Sequence, residues 1–226
     1  MKINIIGLGG VGLKILRELV ESNFAITSMK LWDGDVIEAR NLERQIYRTD
    51  HIGMSKSEAS KDMYCKENVV GFPCETFGDI NLITLRENQK NICNDDVTFI
   101  ATDNNESRVL LLNNWKIMSK NHVLISSANA TADEGIGIGS TAWIYMKEWY
   151  NDPIKDPIIR NNLESNNHVN IGRPCSETSE PQTALANSGA SIRAVELLSL
   201  WKHASSTSIA DHLPIEHSLF YKQTTI

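Results

Sequence analysis

No two cysteines in this chain are spaced C-x-x-C, and only four occur, Cys65, Cys74, Cys93 and Cys175. That absence excludes a zinc knuckle or a dithiol redox centre written as a local motif, so no zinc is expected. In a reducing compartment each cysteine defaults to a free thiol, with Cys65, Cys74 and Cys93 reading as core filler in or beside helices and strands. Long hydrophobic runs are also missing, and the apolar stretches present are too short to span a bilayer. The opening one is glycine-rich, is interrupted by Lys14 and lacks a small-residue cleavage site, so it does not read as a signal peptide. A cytoplasmic protein is the expectation. A basic tract is the third absence. With 28 acidic against 22 basic residues the formal charge is −6, which offers a phosphate backbone little attraction. Neither nucleic acid nor a membrane is expected as a partner.

What is present suits one α/β domain, since 226 residues can bury a sizeable core. Gly7, Gly9 and Gly12 take the spacing G-x-G-x-x-G in GLGGVG, directly after Ile3, Ile5 and Ile6 and directly before Val11, Leu13, Ile15, Leu16 and Leu19. This is a strand, a tight turn and a helix. The first glycine permits the turn, the second lets backbone N–H groups approach a phosphate, and the third allows close helix packing. The helix N-terminus adds unpaired N–H groups and partial positive charge.

Farther along, SMKLW (28 to 32) reads as a second strand ending at Asp33, where a carboxylate can take a ribose hydroxyl; a plain turn aspartate is the alternative. The polar segment GDVIEARNLERQIYRTDHIG that follows is too long for an ordinary connection, and such loops are usually functional. Ser55 and Glu58 suggest a capping box opening a helix through about Asn68, with Lys56 in its first turn, where an anion nearby would be favourable. Strands are expected over 69–76, 97–101 and 122–128, and helices over 81–93 and from Asn104 or Asn105 to Met118. Residues 135–147 are strand-like. Residues 148–181 hold Pro153, Pro157, Pro174 and Pro181 and read as a crossing loop. A helix over 183–203 carries Ala190, Ala194, Leu197, Leu198 and Trp201 on one face, and SLFYKQ suggests an edge strand. Strands alternating with helices imply a Rossmann-like, doubly wound, mostly parallel sheet, with Gly7, Asp33 and Asp103 all at carboxyl ends of strands.

The ordered series GLGGVG, DGD, NLERQ, GMSK and TDN resembles the ThiF/MoeB superfamily of adenylating enzymes, related to ubiquitin-activating enzymes, over roughly residues 1–145. The resemblance implies binding of ATP and Mg²⁺ by Gly7, Gly9, Gly10, Gly12, Asp33, Asp35, Asn41, Arg44, Gln45, Lys56, Asp103 and Asn104. Within that set Asp33 would hold the ribose, Asn41, Arg44 and Lys56 the phosphates, and Asp103 the Mg²⁺, with Gln45 in support. Arg44, Lys56 and Asp103 would be catalytic. Arg108 matches a position that steadies the site, or is simply a helix surface arginine. Cys175, in GRPCSETSEP, lies where some branches carry a cysteine that receives the activated carboxyl as a thioester or carries sulfur. Its P-C-S context resembles compact ThiF-like proteins of plasmid PRTRC clusters. The implied reaction is adenylation of the C-terminal carboxylate of a small ubiquitin-like protein ending in glycine, by a homodimer. The division expected is a nucleotide-binding core (1–145), the crossing loop (148–181) and a C-terminal helix and tail (182–226).

Two departures stand out: the zinc pairs of many relatives are missing, and this chain starts at its first strand, where many relatives have an extra helix. Two other readings remain. An NAD-dependent oxidoreductase would use GLGGVG and Asp33 but leaves Arg44, Lys56 and Asp103 without a task. A noncatalytic scaffold subunit would have no need to retain them. Trp143, Tyr145, Trp149 and Tyr150 could dock a partner or pack into the core.

Overall fold

A computed structural model of the chain describes residues 1–78, 87–103, 105–113, 122–130, 138–146, 184–206 and 216–221. Strands β1 (Lys2–Ile6), β2 (Ser28–Trp32), β3 (Cys74–Phe77), β4 (Val97–Ile100), β5 (Val123–Ala130), β6 (Ile138–Met146) and β7 (Glu216–Tyr221) form one sheet in the order β3-β2-β1-β4-β5-β6-β7. From β3 to β5 the neighbours run parallel, and β6 and β7 then join antiparallel, with β7 at the edge. The chain leaves β1 toward β2 on one side and later enters β4 on the other. Strand order therefore reverses at β1, and in open α/β sheets a binding crevice lies beyond the carboxyl ends at such a point.

The helices are α1 (Gly12–Glu21), α2 (Lys56–Tyr64), the single turn α3 (Glu67–Val70), α4 (Gln89–Cys93), α5 (Asn105–Asn113) and α6 (Ala184–Ser206). None of the described helices is long and apolar enough to cross a membrane. Alternation along the strands feeds two separate cores. On one face, Leu13, Leu16 and Leu19 of α1 and Ala190, Ala194, Leu197 and Leu198 of α6 cover Ile3, Ile5, Met29, Leu31, Phe99 and Ile125. On the other, Ile92 of α4 and Leu111 and Leu112 of α5 cover Ile6, Trp32, Ile100 and Leu124. Trp143 and Tyr145 are buried in this second core, which assigns both to packing; Trp149 and Tyr150 lie outside the described residues.

Asn4 interrupts the apolar run of β1 and is fully buried. An unpaired amide there would cost about 1–3 kcal/mol. It is satisfied by donating to Asp95 Oδ2 at 3.0 Å and accepting from Trp32 Nε1 at 3.0 Å, while Lys30 Nζ reaches the same Asp95 oxygen at 2.8 Å. Trp32 in turn stacks on Phe77, ring centroids 3.7 Å apart.

Three local expectations are corrected. The Ser55–Glu58 capping box does not form: Ser55 Oγ pairs with Ser57 Oγ at 2.9 Å, and the Glu58 carboxylate accepts from Thr76 on β3. The helix it opens stops at Tyr64 rather than Asn68. Val69 and Val70 belong to α3, which ends at left-handed Gly71 (φ 75°), so β3 begins only at Cys74. Cys65 and Cys74 are buried free thiols, as core filler would be. The residues 79–86, 114–121 and the crossing loop lie outside the described set.

Candidate functional site

The glycine turn follows β1 at the point of strand reversal. Gly7 has φ +86°, and a Cβ there would sit 2.9 Å from the backbone of Ala101 and Thr102. Glycine is therefore required twice over, by conformation and by space. The same closeness brings Ala101 and Thr102 at the end of β4, next in sequence to exposed Asp103, against the turn. A Cβ on Gly12 would meet the Gly7 carbonyl oxygen at 1.8 Å, so α1 starts hard against the turn it follows. No side chain caps α1, whose N-cap is Val11. Its amide end lies beyond the carboxyl end of β1, a position suited to an anion.

Asp33 ends β2 and is buried. Its Oδ2 accepts from Leu8 N at 2.6 Å and its Oδ1 from Asp35 N at 2.9 Å, so one carboxylate ties the glycine turn to the start of the long loop. Burial pushes the Asp33 carboxyl above its usual range, opposed by the nearby Lys56 ammonium and by the two backbone N–H donors. Each oxygen retains a second lone pair, so a ribose hydroxyl is still a possible donor to it.

The long loop is ordered by its own bonds. Two 3₁₀ turns (Ala39–Glu43 and Thr49–His51) shape it, and an antiparallel bridge from Val36 to Ser55 closes it. Asn41 is buried and accepts from Glu38 N at 2.9 Å, which holds the first turn. Gln45 N donates to Asn41 O at 2.8 Å, and the Gln45 side chain lies 3.8 Å from where a Cβ on Gly9 would stand. Gln45 Oε1 is buried with no partner among the described residues.

Lys56, first residue of α2, is buried apart from its contact with Asp35, whose Oδ2 lies 2.6 Å from Nζ. The Asp35 side chain is 73% exposed against 8% for Lys56. A buried cation with a mostly solvated partner is poised to exchange that partner for another anion.

Three contributors were not anticipated. Tyr47, buried in the same polar loop, donates to Leu8 O at 2.7 Å and meets Ser60 Oγ at 3.0 Å, bolting the glycine turn to the first turn of α2. Desolvation raises its phenol pKa, so it stays a neutral donor. Its position in NLERQIY gives one clue, because a lone tyrosine in a polar loop needs a partner for its hydroxyl wherever its ring is buried. Ser60 is likewise buried and bonds back to Lys56 O at 2.6 Å. Asn187, in the first turns of α6, presses its amide on Gly10 and donates to Arg44 O at 3.2 Å. No motif marked it, since an amide among small helix residues resembles a surface position. Arg108 is buried rather than a surface arginine: it reaches from α5 to Thr102 O at 2.7 Å and Ser126 Oγ at 3.0 Å, lacing the segment after β4 to the middle of β5.

Gly7, Gly9, Gly10, Gly12, Asp33, Asp35, Gln45 and Lys56 thus share one connected edge of the sheet with the Arg44 backbone and the end of β4. Cys175 and Asn104 lie outside the described residues, so their placement relative to this edge is not part of the geometry. Among the described residues no group of three or more His, Cys, Asp or Glu could hold a metal. Mg²⁺ bound alongside a nucleotide needs only one or two carboxylates besides phosphates, and Asp103 fits that donor set.

The sequence model of the ThiF family matches residues 1–148. Among curated proteins, SUMO-activating enzyme subunit 2 of Dictyostelium discoideum is 40% identical over 68 residues, covering 30% of this chain and 10% of that protein. Adenylyltransferase and sulfurtransferase UBA4 of Scheffersomyces stipitis is 29% identical over 142 residues, 60% of this chain and 29% of that protein. The chain therefore spans between a tenth and three tenths of the length of these two relatives. Among solved structures, E. coli MccB with ATP superposes with a TM-score of 0.64 at 20% identity, covering 100% of this chain and 65% of that one. PaaA superposes with a TM-score of 0.62 at 19% identity, over 98% of this chain and 62% of that one.

Proposed function

The chain belongs to the ThiF family, and on that premise we propose that it is an ATP-dependent adenylating enzyme acting on the C-terminal carboxylate of a small protein or peptide. A ubiquitin-like protein ending in glycine is the favoured substrate. The observation that carries this reading is the buried Lys56 ammonium, paired with Asp35 at 2.6 Å, on a helix start whose backbone Ser60 and Tyr47 tie to the glycine turn at the reversal point of the sheet.

In this reading ATP is the substrate that lies across the turn. Amides at the start of α1 and the Lys56 ammonium take the phosphates, with Arg44 adding a planar fork suited to phosphate oxygens. Asp33 takes the ribose. Asp103 would hold Mg²⁺, which supplies charge neutralisation to the phosphates when bound. A carboxylate oxygen of the acyl substrate attacks the α-phosphorus, forming the acyl-AMP bond, while the bond to the β-phosphate breaks and its electron pair leaves with pyrophosphate. Charge then grows on the phosphate oxygens, where fixed cations lower the barrier because they need no reorganisation. A nucleophile next displaces AMP from the acyl carbon, and Cys175 is the proposed acceptor in the chain, forming a thioester. Family habit favours a homodimer, and a peptide is the variant substrate class.

An NAD-dependent oxidoreductase gives Lys56 no role, and a scaffold subunit gives no reason for a desolvated cation on the same edge as the glycine turn. The test is exchange of labelled pyrophosphate into ATP, with candidate glycine-tailed small proteins added. Adenylation predicts substrate-dependent exchange that Asp103→Ala abolishes and Cys175→Ala leaves intact, the latter losing only thioester formation. Hydride transfer with nicotinamide cofactor and no exchange would replace this reading.

A further inference from the structure

We propose that Asn187 is a positioning residue that latches α6 across the phosphate-facing edge, setting the spacing between the glycine turn and the Arg44 backbone. The proposal rests on the ATP reading above and adds to it a part of the chain beyond residue 148, where the family match ends. Asn187 is 1% exposed and touches both elements at once. Its Nδ2 donates to Arg44 O at 3.2 Å, and a Cβ placed on Gly10 would lie 2.1 Å from that same nitrogen and 2.7 Å from Cγ. The turn and the loop that carries Arg44 are joined only distantly in sequence. One amide from a third element bridges them.

The rest of α6 is anchored so that this amide cannot drift. Ser127 Oγ in the middle of β5 donates to Ala190 O at 2.8 Å, and Lys14 Nζ of α1 donates to Ser188 Oγ at 2.8 Å. Ala190, Ala194, Leu197 and Leu198 pack the helix into the core. The helix is thereby fixed to the sheet, to α1 and to the arginine loop. Glycine at position 10 follows from the latch, because any side chain there displaces the Asn187 amide.

The experiment uses the full chain with Asn187→Ala, Gly10→Ala and the double variant, titrated with a non-hydrolysable ATP analogue. Losing the amide should weaken analogue binding about fivefold, the scale of one buried hydrogen bond. The maximal exchange rate at saturating ATP should stay within about twofold, because the residue positions groups and touches no reacting atom. Gly10→Ala should weaken binding more, and the double variant should bind better than Gly10→Ala alone, since removing the amide makes room for the methyl. Unchanged affinity in Asn187→Ala, or strictly additive losses in the double variant, would overturn the latch. Should Asn187→Ala fail to fold, Asn187→Ser shortens the side chain in the same helix and is read the same way. If the wild-type chain binds no ATP analogue, the adenylation reading fails by itself. Amide hydrogen exchange without nucleotide then decides the latch: faster exchange at residues 8–12 in the variant supports it, and equal exchange sinks it.

Discussion

At the scale of single residues, the site is held by side chains whose polar atoms have been withdrawn from water and given defined partners. Tyr47 is the clearest case, because its hydroxyl spans Leu8 O and Ser60 Oγ. Tyr47→Phe should keep the ring packing and lose about 1 kcal/mol of stability. It should also raise the KM for ATP several-fold, and thermal melting together with exchange kinetics measures both. His122 gives a pH dependence. Its Nδ1 lies 2.7 Å from Asp95 O and must carry the proton, leaving Nε2 buried without a partner among the described residues. Burial lowers its pKa below the ordinary 6.5. The unfolded chain then takes up a proton that the folded chain refuses, so this contribution to stability is complete above the unfolded value and is lost as pH falls below it. Urea midpoints at pH values on either side of 6.5 should show the decline, and His122→Phe should flatten it.

Elements were legible where one strong local signal had no competitor. GLGGVG required a strand, turn and helix, and the apolar runs of β4 and β5 required buried parallel strands. Legibility failed where a distant partner won. Glu58 belongs to a sound capping-box pattern, yet its carboxylate is taken by Thr76 on a neighbouring strand. Val69 and Val70 have β-branched side chains, yet Gly71 in the left-handed region closes a helical turn around them. Of the candidate site, the glycines, Asp33 and Lys56 occupy motif positions, while Tyr47 is hinted at only by its polar loop and Asn187 by nothing, because their partners arise only after folding. The β1 to β4 junction yields a prediction of its own. Gly7→Ala combines a positive φ with a 2.9 Å overlap against the Ala101 backbone, so it should cost more than about 1 kcal/mol and abolish nucleotide binding. Asp95→Ala tests the opposite end of the sheet. It strands the Lys30 ammonium and the Asn4 amide, at a cost of about 3 kcal/mol in urea denaturation, with nucleotide affinity in the surviving folded protein unchanged.

At the scale of the whole molecule, function follows from topology. Strand order reverses at β1, where open α/β sheets bind ligands, and the elements that meet there come from five separate stretches of sequence: the glycine turn, the long loop, the start of α2, the end of β4 and α6. Lys56 is a buried cation on this edge with a solvated counter-ion, so Lys56→Met should cost pyrophosphate exchange on the order of 100-fold or more while leaving the fold intact. The most direct measurement is a crystal structure with a non-hydrolysable ATP analogue and Mg²⁺. The account predicts the triphosphate across Gly9, Gly10 and Val11, the Lys56 ammonium moved from Asp35 onto phosphate, and the metal on Asp103. A nucleotide whose phosphates point away from Lys56, leaving its pair with Asp35 undisturbed, would contradict it.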